Sequence, residues 1–195
     1  VVKDILDIKI KKDHHSEGLH LIRSFYNNTA KNIKAWLQIR DWGKKLLTLD
    51  QIQKSNAVFY PLHAEPEIAI STLGRDYQNQ IEIIRSIALN LPAGLNLVVK
   101  EHPRNIGRRS FDYYRAIIKI PNVYMSHPFA RVHSIVDRVS LVCVLSGYAG
   151  FEAVLAKKPC IVLGQTMFNM LPKTMVNYVD NIKDLHKEIL FSLNN

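Results

Sequence analysis

Residues 141–156 have the sequence LVCVLSGYAGFEAVLA, an apolar run followed by small polar residues and then by apolar residues at helical spacing. A short apolar run bounded by turn residues is typical of a buried parallel strand. Ser146 and Gly147 provide the turn, and Phe151, Val154 and Leu155 fall on one face of a helix. The stretch therefore predicts a strand, a tight turn and a helix.

The start of this predicted helix is a candidate anion-binding site. The first backbone N–H groups of a helix have no partner inside it and point out of its N-terminus. Glu152 lies about one turn into the helix, within reach of a sugar hydroxyl beside a bound phosphate. The alternative is an ordinary junction, where an acid gains about 0.3–1 kcal/mol from the helix dipole. A capping box does not explain the pattern, because Ala149 stands where Ser146 would need an acid.

The composition indicates a globular chain with an excess of positive charge. Of its 195 residues, 47% are hydrophobic, and the formal net charge of +9 favours anionic partners such as phosphates or a lipid surface. The sequence has no nucleic-acid-binding motif, and its aromatic residues are not interleaved with basic ones. We therefore expect no nucleic acid partner.

Cysteine usage and hydropathy bear on the compartment. Cys143 and Cys160 lie in apolar, strand-like runs, which favours buried thiols in a reducing environment, and their spacing gives no metal site. No apolar run is long enough to span a bilayer. We expect a cytoplasmic, metal-free protein. The basic face of its N-terminal region is either simply solvated or in peripheral contact with the anionic inner face of the plasma membrane.

The chain divides into two regions. Residues 1–55 have apolar positions at helical spacing from Leu19 to Leu49, which predicts two helices separated at Asn27 and Asn28. In residues 56–195 strands and helices alternate, which predicts an α/β domain.

The alternation in residues 56–195 predicts five strands and five helices, the last helix N-capped by Asp180. One of the helices is the one that follows Gly147. The strands are predicted at 57–62, 95–100, 122–125, 141–145 and 159–163, and the other helices at 77–90, 110–118, 129–136 and 181–193. The resulting fold class is α/β, a Rossmann-like parallel sheet with helices on both faces. Ligands of such sheets bind outside the carboxyl ends of the strands.

Polar side chains follow the predicted strands at those carboxyl ends. They are His63 and Glu67, then Lys100, Glu101, His102 and Arg104, then Ser146 and Gly147, and finally Gln165. Pro103 biases His102 to an extended backbone that can aim its ring across the edge, where it would donate to a phosphate. Glu101 is expected to form an exposed, weak pair with Lys100 or Arg104. The second His-Pro pair, at His127, is interpreted as structural.

Several motifs resemble one family in order and spacing. They are Pro61-Leu62-His63 with Pro66-Glu67, Val99-Lys100-Glu101-His102-Pro103, Ser146-Gly147-x-x-Gly150-x-Glu152-Ala153, Lys158-Pro159 and Leu163-Gly164. These motifs span about residues 56–165. They resemble the donor-binding C-terminal half of the two-domain GT-B fold in bacterial capsule polysaccharide biosynthesis glycosyltransferases, which include the Kdo transferases. The His-Pro pair is also similar to the motif with which bacterial sialyltransferases hold CMP.

The resemblance implies a set of donor-binding residues. They are His102, Pro103, Ser146, Gly147, Gly150, Glu152, His63, Glu67 and Lys100. By that resemblance His102, Ser146 and Gly147 would contact the nucleotide phosphate and Glu152 the ribose, with His63 and Glu67 near the sugar. Tyr148 departs from the pattern, since many relatives have a small hydroxyl residue there, and a second hydroxyl contact to phosphate is in doubt.

The function implied is donor binding for surface or capsule polysaccharide synthesis with a CMP-activated sugar. The substrate would be a nucleotide sugar, the acceptor a saccharide or a lipid-linked saccharide, and no cofactor is expected. By the same resemblance, residues 1–55 would be the remnant or linker of an acceptor domain. Nothing in them resembles the acceptor half that supplies the base in this family, so the catalytic residues stay unassigned. We therefore expect donor binding without transfer. The alternatives are a nucleotide-sugar epimerase of the same fold and a non-catalytic nucleotide-binding module.

Overall fold

A computed structural model describes residues 15–63 and 79–194, with side chains described from residue 27 onward. The predictions for residues 1–14 and for Glu67 lie outside this range. Within it, seven parallel strands form one sheet in the order β1-β4-β3-β2-β5-β6-β7. The strands are β1 Leu46–Leu47, β2 Ala57–Pro61, β3 Asn96–Lys100, β4 Val123–Ser126, β5 Leu141–Val144, β6 Cys160–Val162 and β7 Val176–Tyr178.

The helices are α1 His15–Asp41, α2 Leu49–Lys54, α3 Gln80–Asn90, α4 Phe111–Ile118, α5 Val132–Val136, α6 Tyr148–Leu155 and α7 Leu185–Asn194. Helices α2 to α6 connect successive strands from β1 to β6 as crossovers, while α1 precedes β1 and α7 follows β7. Short 3-10 turns lie at 43–45, 167–170 and 182–184. No helix in the described residues is long and apolar enough to cross a membrane.

The core lies on both faces of the sheet, as the predicted fold class requires. Side chains alternate along β2, so Val58 and Tyr60 join one buried cluster while Ala57 and Phe59 join the other. A parallel sheet covered on both faces needs apolar residues at successive positions, which explains the continuous apolar runs. The α/β Rossmann-like sheet is confirmed, and each of the five predicted strands lies within one residue of its observed ends.

Three elements differ from the sequence prediction. Helix α1 is continuous through Asn27 and Asn28, so the predicted break is wrong. Asparagine is only a weak helix breaker, and Ala35 and Gln38 farther along α1 are buried against the domain. Strand β1 was missed because two residues carry too little pattern, and β7 because the buried Asn177 interrupts its apolar run. Asp180 does not cap the last helix, since the Asn181 side chain accepts from the Lys183 amide instead.

Helix α1 docks on the loop that follows β3. The buried Gln38 side chain accepts from the Gly107 amide at 2.9 Å and donates to the Arg109 carbonyl at 2.8 Å. At the end of α1, Asp41 binds Arg115 through both oxygens, at 2.9 and 3.2 Å. The division at residue 55 stays a prediction, although β1, which precedes it, pairs with β4.

Gly107 allows this close docking. Its φ is +80°, and a Cβ built on it would lie 2.4 Å from the Lys31 carbonyl oxygen of α1. Gly94 has a similar φ of +87°, but a Cβ there would meet nothing within 4 Å. Both positions favour glycine for its backbone freedom, and only Gly107 also needs its small volume.

We predict that Gly107→Ala lowers the free energy of unfolding more than Gly94→Ala does. Both variants carry backbone strain of about 1–3 kcal/mol. Gly107→Ala adds overpacking against α1, which costs about another 1–3 kcal/mol. Urea denaturation of both variants measures the difference, and equal losses would contradict this account of the docking.

Candidate functional site

The sheet order changes direction between β2 and β5. From β2 the chain proceeds through β3 and β4 to one side, and from β5 through β6 and β7 to the other. Ligands of open α/β sheets bind in the crevice at such a switch point, outside the carboxyl ends of the strands. His63 follows β2 at this edge, and Ser146 and Gly147 follow β5. Three residues predicted for the site therefore meet at the switch point.

Gly147 shapes the turn from β5 into α6. Its φ of 94° and ψ of −179° lie in a region that essentially only glycine populates. A Cβ built on Gly147 would lie 3.4 Å from Cε1 of His63, so the histidine ring packs against this turn. The Gly147 carbonyl accepts from the Gly150 amide at 3.2 Å. The N-terminus of α6 therefore lies next to the ring of His63.

Two buried polar atoms at this turn lack hydrogen-bond partners. The Ser146 side chain is 2% exposed, and its Oγ has no partner among the described residues. One carboxylate oxygen of Glu152, Oε2, is likewise buried without a partner there. Leaving such groups unpaired costs about 1–3 kcal/mol each, so their occurrence together beside a helix N-terminus points to a ligand that pairs with them.

Gly150 has a packing role in this structure. A Cβ on it would lie 2.9 Å from the Phe168 ring and 3.1 Å from Val144. It therefore lets α6 approach β5 and the segment after β6. Tyr148, the first residue of α6, is 87% exposed. The contacts of Gly150 and Tyr148 with a nucleotide stay predictions.

Glu101 at the end of β3 is fully buried, so the predicted exposed pair with Lys100 or Arg104 is wrong. Its Oε2 forms an ion pair with Arg109 Nε at 2.8 Å and accepts from the Tyr114 hydroxyl at 2.8 Å. Its Oε1 accepts from the backbone amide of His102 at 2.6 Å. Arg109 and Tyr114 lie 8 and 13 residues farther along the chain, which local sequence pattern did not reveal.

Burial and hydrogen bonding act in opposite directions on this carboxylate. Burial raises the pKa of Glu101, while Arg109, Tyr114 and the His102 amide lower it, with a net upward shift. Burial and the adjacent carboxylate raise the pKa of Tyr114 as well, so its hydroxyl remains a donor. The geometry, with every close group a donor, is that of an ionised carboxylate.

His63 is held by its backbone from two directions. Its amide donates to Oε1 of Gln80 at 2.8 Å, and its carbonyl accepts from Nε2 of Gln80 at 3.3 Å. The same carbonyl accepts from NH2 of Arg109 at 2.8 Å. Sequence reasoning missed Gln80 and Arg109. The only sequence signal for Gln80 was an amide side chain at the start of a predicted helix.

His102 lies at the same edge, after β3, and is half-buried. Its Nδ1 accepts from the Arg104 amide at 3.2 Å, so in the neutral ring the proton lies on Nε2. His127 repeats this arrangement after β4, where Nδ1 accepts from the Phe129 amide at 3.4 Å. The two His-Pro loops are thus alike locally, and only His102 adjoins the buried Glu101.

The surroundings of the loop after β3 are positively charged. Burial lowers the pKa of Lys31, and the charges of Arg108 and Arg104 lower it further, which places these three cations close together. Lys100 is buried, and its Nζ donates to the carbonyls of Pro128 at 2.8 Å and Glu101 at 3.3 Å. Burial lowers the pKa of Lys100, while Glu101 and Glu152 oppose that shift.

Lys100 therefore mainly connects the loops after β3 and β4 through these hydrogen bonds. Its contact with a nucleotide-sugar donor stays a prediction. No group of three or more His, Cys, Asp or Glu side chains that could hold a metal occurs in the part of the chain that the structure describes. The described site thus consists of helix amides, a serine, two histidines and a carboxylate.

Solved structures with a similar fold include an epimerase and a glycosyltransferase. The UDP-GlcNAc 2-epimerase of Methanocaldococcus jannaschii matches with a TM-score of 0.55 and 18% identity, covering 75% of this chain and 43% of that one. The spinosyn rhamnosyltransferase SpnG, solved with thymidine diphosphate, has a TM-score of 0.50 and 14% identity, covering 72% and 38%. At these identities the likeness concerns the fold, and the chain spans less than half the length of either protein.

A third structure, the beta Kdo 2,7 transferase KpsC of Thermosulfurimonas dismutans, matches at a TM-score of 0.48 and 16% identity, covering 95% of this chain and 56% of that one. The curated proteins searched contain no match to this sequence. The family model for the capsule polysaccharide biosynthesis protein matches residues 8–182, nearly the whole chain. The chain therefore belongs to the capsule polysaccharide biosynthesis protein family.

Proposed function

We propose that this chain is the donor-binding domain of a glycosyltransferase for surface or capsule polysaccharide synthesis. The observation that carries the proposal is the buried Ser146 Oγ, which has no partner among the described residues and lies beside Gly147 at the N-terminus of α6. Phosphate satisfies both the hydroxyl and the outward-pointing helix amides. The family match supports the polysaccharide setting.

In this proposal each residue of the site has one task. The α6 amides and Ser146 hold the nucleotide phosphate, and Nε2 of His102 donates to it from the loop after β3. Glu152 accepts from a ribose hydroxyl through the buried oxygen that has no partner within the described residues. His63 lies near the donor sugar, and the same role stays a prediction for Glu67, which is outside the described residues. The α6 amides, Ser146 and His102 stabilise the leaving phosphate electrostatically, so transfer proceeds without a divalent metal.

The proposed nucleotide is CMP, because of the resemblance of the His102-Pro103 pair to the CMP-binding motif of bacterial sialyltransferases. The acceptor is a saccharide or a lipid-linked saccharide at the inner face of the plasma membrane. Transfer also needs a base within hydrogen-bond reach of the acceptor, on the side of the donor away from its phosphate. No described residue of this chain is assigned to that task, and we expect donor binding without transfer from these 195 residues.

We predict that His102→Ala weakens nucleotide binding by about 1–3 kcal/mol, the contribution of a hydrogen bond to a charged group. His127→Ala is the matched control, because it removes the same residue from the same kind of His-Pro loop one strand farther from the switch point. Calorimetric titration with CMP measures both affinities. If the two variants lose equal affinity, His102 has no special contact with the nucleotide.

Ser146→Ala is predicted to weaken CMP binding by about 1–3 kcal/mol as well. The free energy of unfolding should stay unchanged or rise, because the hydroxyl has no hydrogen-bond partner among the residues that the structure describes. Ser126→Ala is its control. Ser126, at the end of β4, also has a buried, unpartnered Oγ among the described residues, but no helix begins directly after it. CMP affinity unchanged by Ser146→Ala would place the phosphate elsewhere.

For the nucleotide itself, we expect CMP to bind more tightly than UDP or GDP, with affinities unaffected by excess EDTA. A calorimetric panel of the three nucleotides tests this. Tighter binding of UDP or GDP would reject the CMP assignment and favour the epimerase alternative, which product analysis with a nucleotide sugar and no acceptor would then examine. Loss of binding in EDTA would reject metal-independent phosphate binding.

A further inference from the structure

The loop after β3 contains a buried ion pair that contacts the backbones of both site histidines. Glu101 Oε1 accepts from the amide of His102 at 2.6 Å, and its Oε2 lies 2.8 Å from Arg109 Nε. The other end of the same guanidinium, NH2, donates to the carbonyl of His63 at 2.8 Å. The Glu101–Arg109 pair thus connects the backbone of His63, after β2, with the backbone of His102, after β3.

The geometry of arginine is necessary for this connection. The guanidinium is planar and presents its donors in a fixed fork, so contact with Glu101 through Nε determines where NH2 can reach. The Arg109 side chain is 8% exposed and that of Glu101 is fully buried, so neither can rotate away without leaving a buried charge unpaired. The carbonyl of Arg109 is in turn held by Gln38 of α1 at 2.8 Å.

The held backbone of His63 determines where its ring lies. The ring packs against Gly147, with Cε1 3.4 Å from the position that a Cβ on Gly147 would take. The buried Gln80 side chain fixes the same backbone from α3, with both of its bonds made by one amide group. Arg109 adds the contact that relates this backbone to the end of β3.

We propose that Glu101 and Arg109 are positioning residues that set the distance between the two site histidines by holding the carbonyl of His63 and the amide of His102. They act through the histidines and touch no ligand themselves. This inference rests on the proposed function for its effect on binding, but its structural part concerns the ligand-free protein.

Arg109→Lys tests the proposal, because lysine keeps the charge beside Glu101 but has no fork to reach the His63 carbonyl as well. Tyr114→Phe is the matched control. It removes a 2.8 Å hydrogen bond to the same buried carboxylate, but that bond leads to α4 and to neither histidine. Unfolding measurements on both variants establish that each is folded and how much stability each loses.

The first readout is nuclear Overhauser contact between Hε1 of His63 and the α-protons of Gly147 in the ligand-free protein. We expect the contact in the parent and in Tyr114→Phe, and its loss in Arg109→Lys. Its persistence in Arg109→Lys would overturn the proposal. This readout needs no nucleotide, so it stands even if the parent binds none of CMP, UDP and GDP, which would reject the proposed function alone.

The second readout is a double-mutant cycle on CMP affinity. Arg109→Lys should weaken binding about tenfold in the parent but less than about twofold in a His63→Ala background, because a positioning residue has nothing left to position. Tyr114→Phe should change affinity less than about twofold in both backgrounds. Equal losses from Arg109→Lys in the two backgrounds would show that Arg109 acts independently of His63 and would overturn the proposal.

Discussion

The buried carboxylate of Glu101 is the constraint to which the surrounding structure conforms. A carboxylate removed from water costs several kcal/mol unless its oxygens are fully paired. Its partners come from separate parts of the chain, namely the His102 amide, the Arg109 guanidinium and the Tyr114 hydroxyl. Arg109 extends the network to the end of β2, and Gln38 of α1 to the loop after β3. Satisfying one charge therefore brings two strand ends and two helices together.

The Glu101 network also lies close to the switch point of the sheet. β2 and β5 are paired neighbours at the point where the strand order reverses, and the turn at Gly147 places the start of α6 outside the carboxyl end of β5. The Glu101 network lies at the end of β3, the strand that pairs with β2 on its other side. Glu101 and Arg109 pair with each other, whereas Lys31, Arg104 and Arg108 form a separate group of positive charge close to the same loop. In the proposed function the buried pair would hold the backbone, and this separate group would attract the anionic ligand.

The sequence predicted those features that arise from local pattern, and missed those that depend on distant partners. Continuous apolar runs predicted β2 to β6, because a strand buried on both faces needs apolar residues at successive positions. The Ser146-Gly147 turn predicted the start of α6, because its backbone requires glycine. Glu101 was misinterpreted as exposed, since nothing near it in the chain shows that Arg109 and Tyr114 will cover it. The continuity of α1 was missed for a similar reason. Its buried Gln38 pairs with Gly107 and Arg109, which lie 69 and 71 positions farther along the chain.

The bond between Gln38 and Gly107 also has a consequence for the order of assembly. It joins residues 69 positions apart, so α1 gains its buried contacts only after β2, β3 and the following loop have formed. During synthesis the helix leaves the ribosome long before the surface on which it docks. Through that interval Ala35 and Gln38 lack the contacts that bury them in the folded domain. Asn27, Asn28 and Thr29 are exposed on the same helix, but so are Ile33, Trp36 and Leu37, so the helix presents apolar surface before the domain has formed.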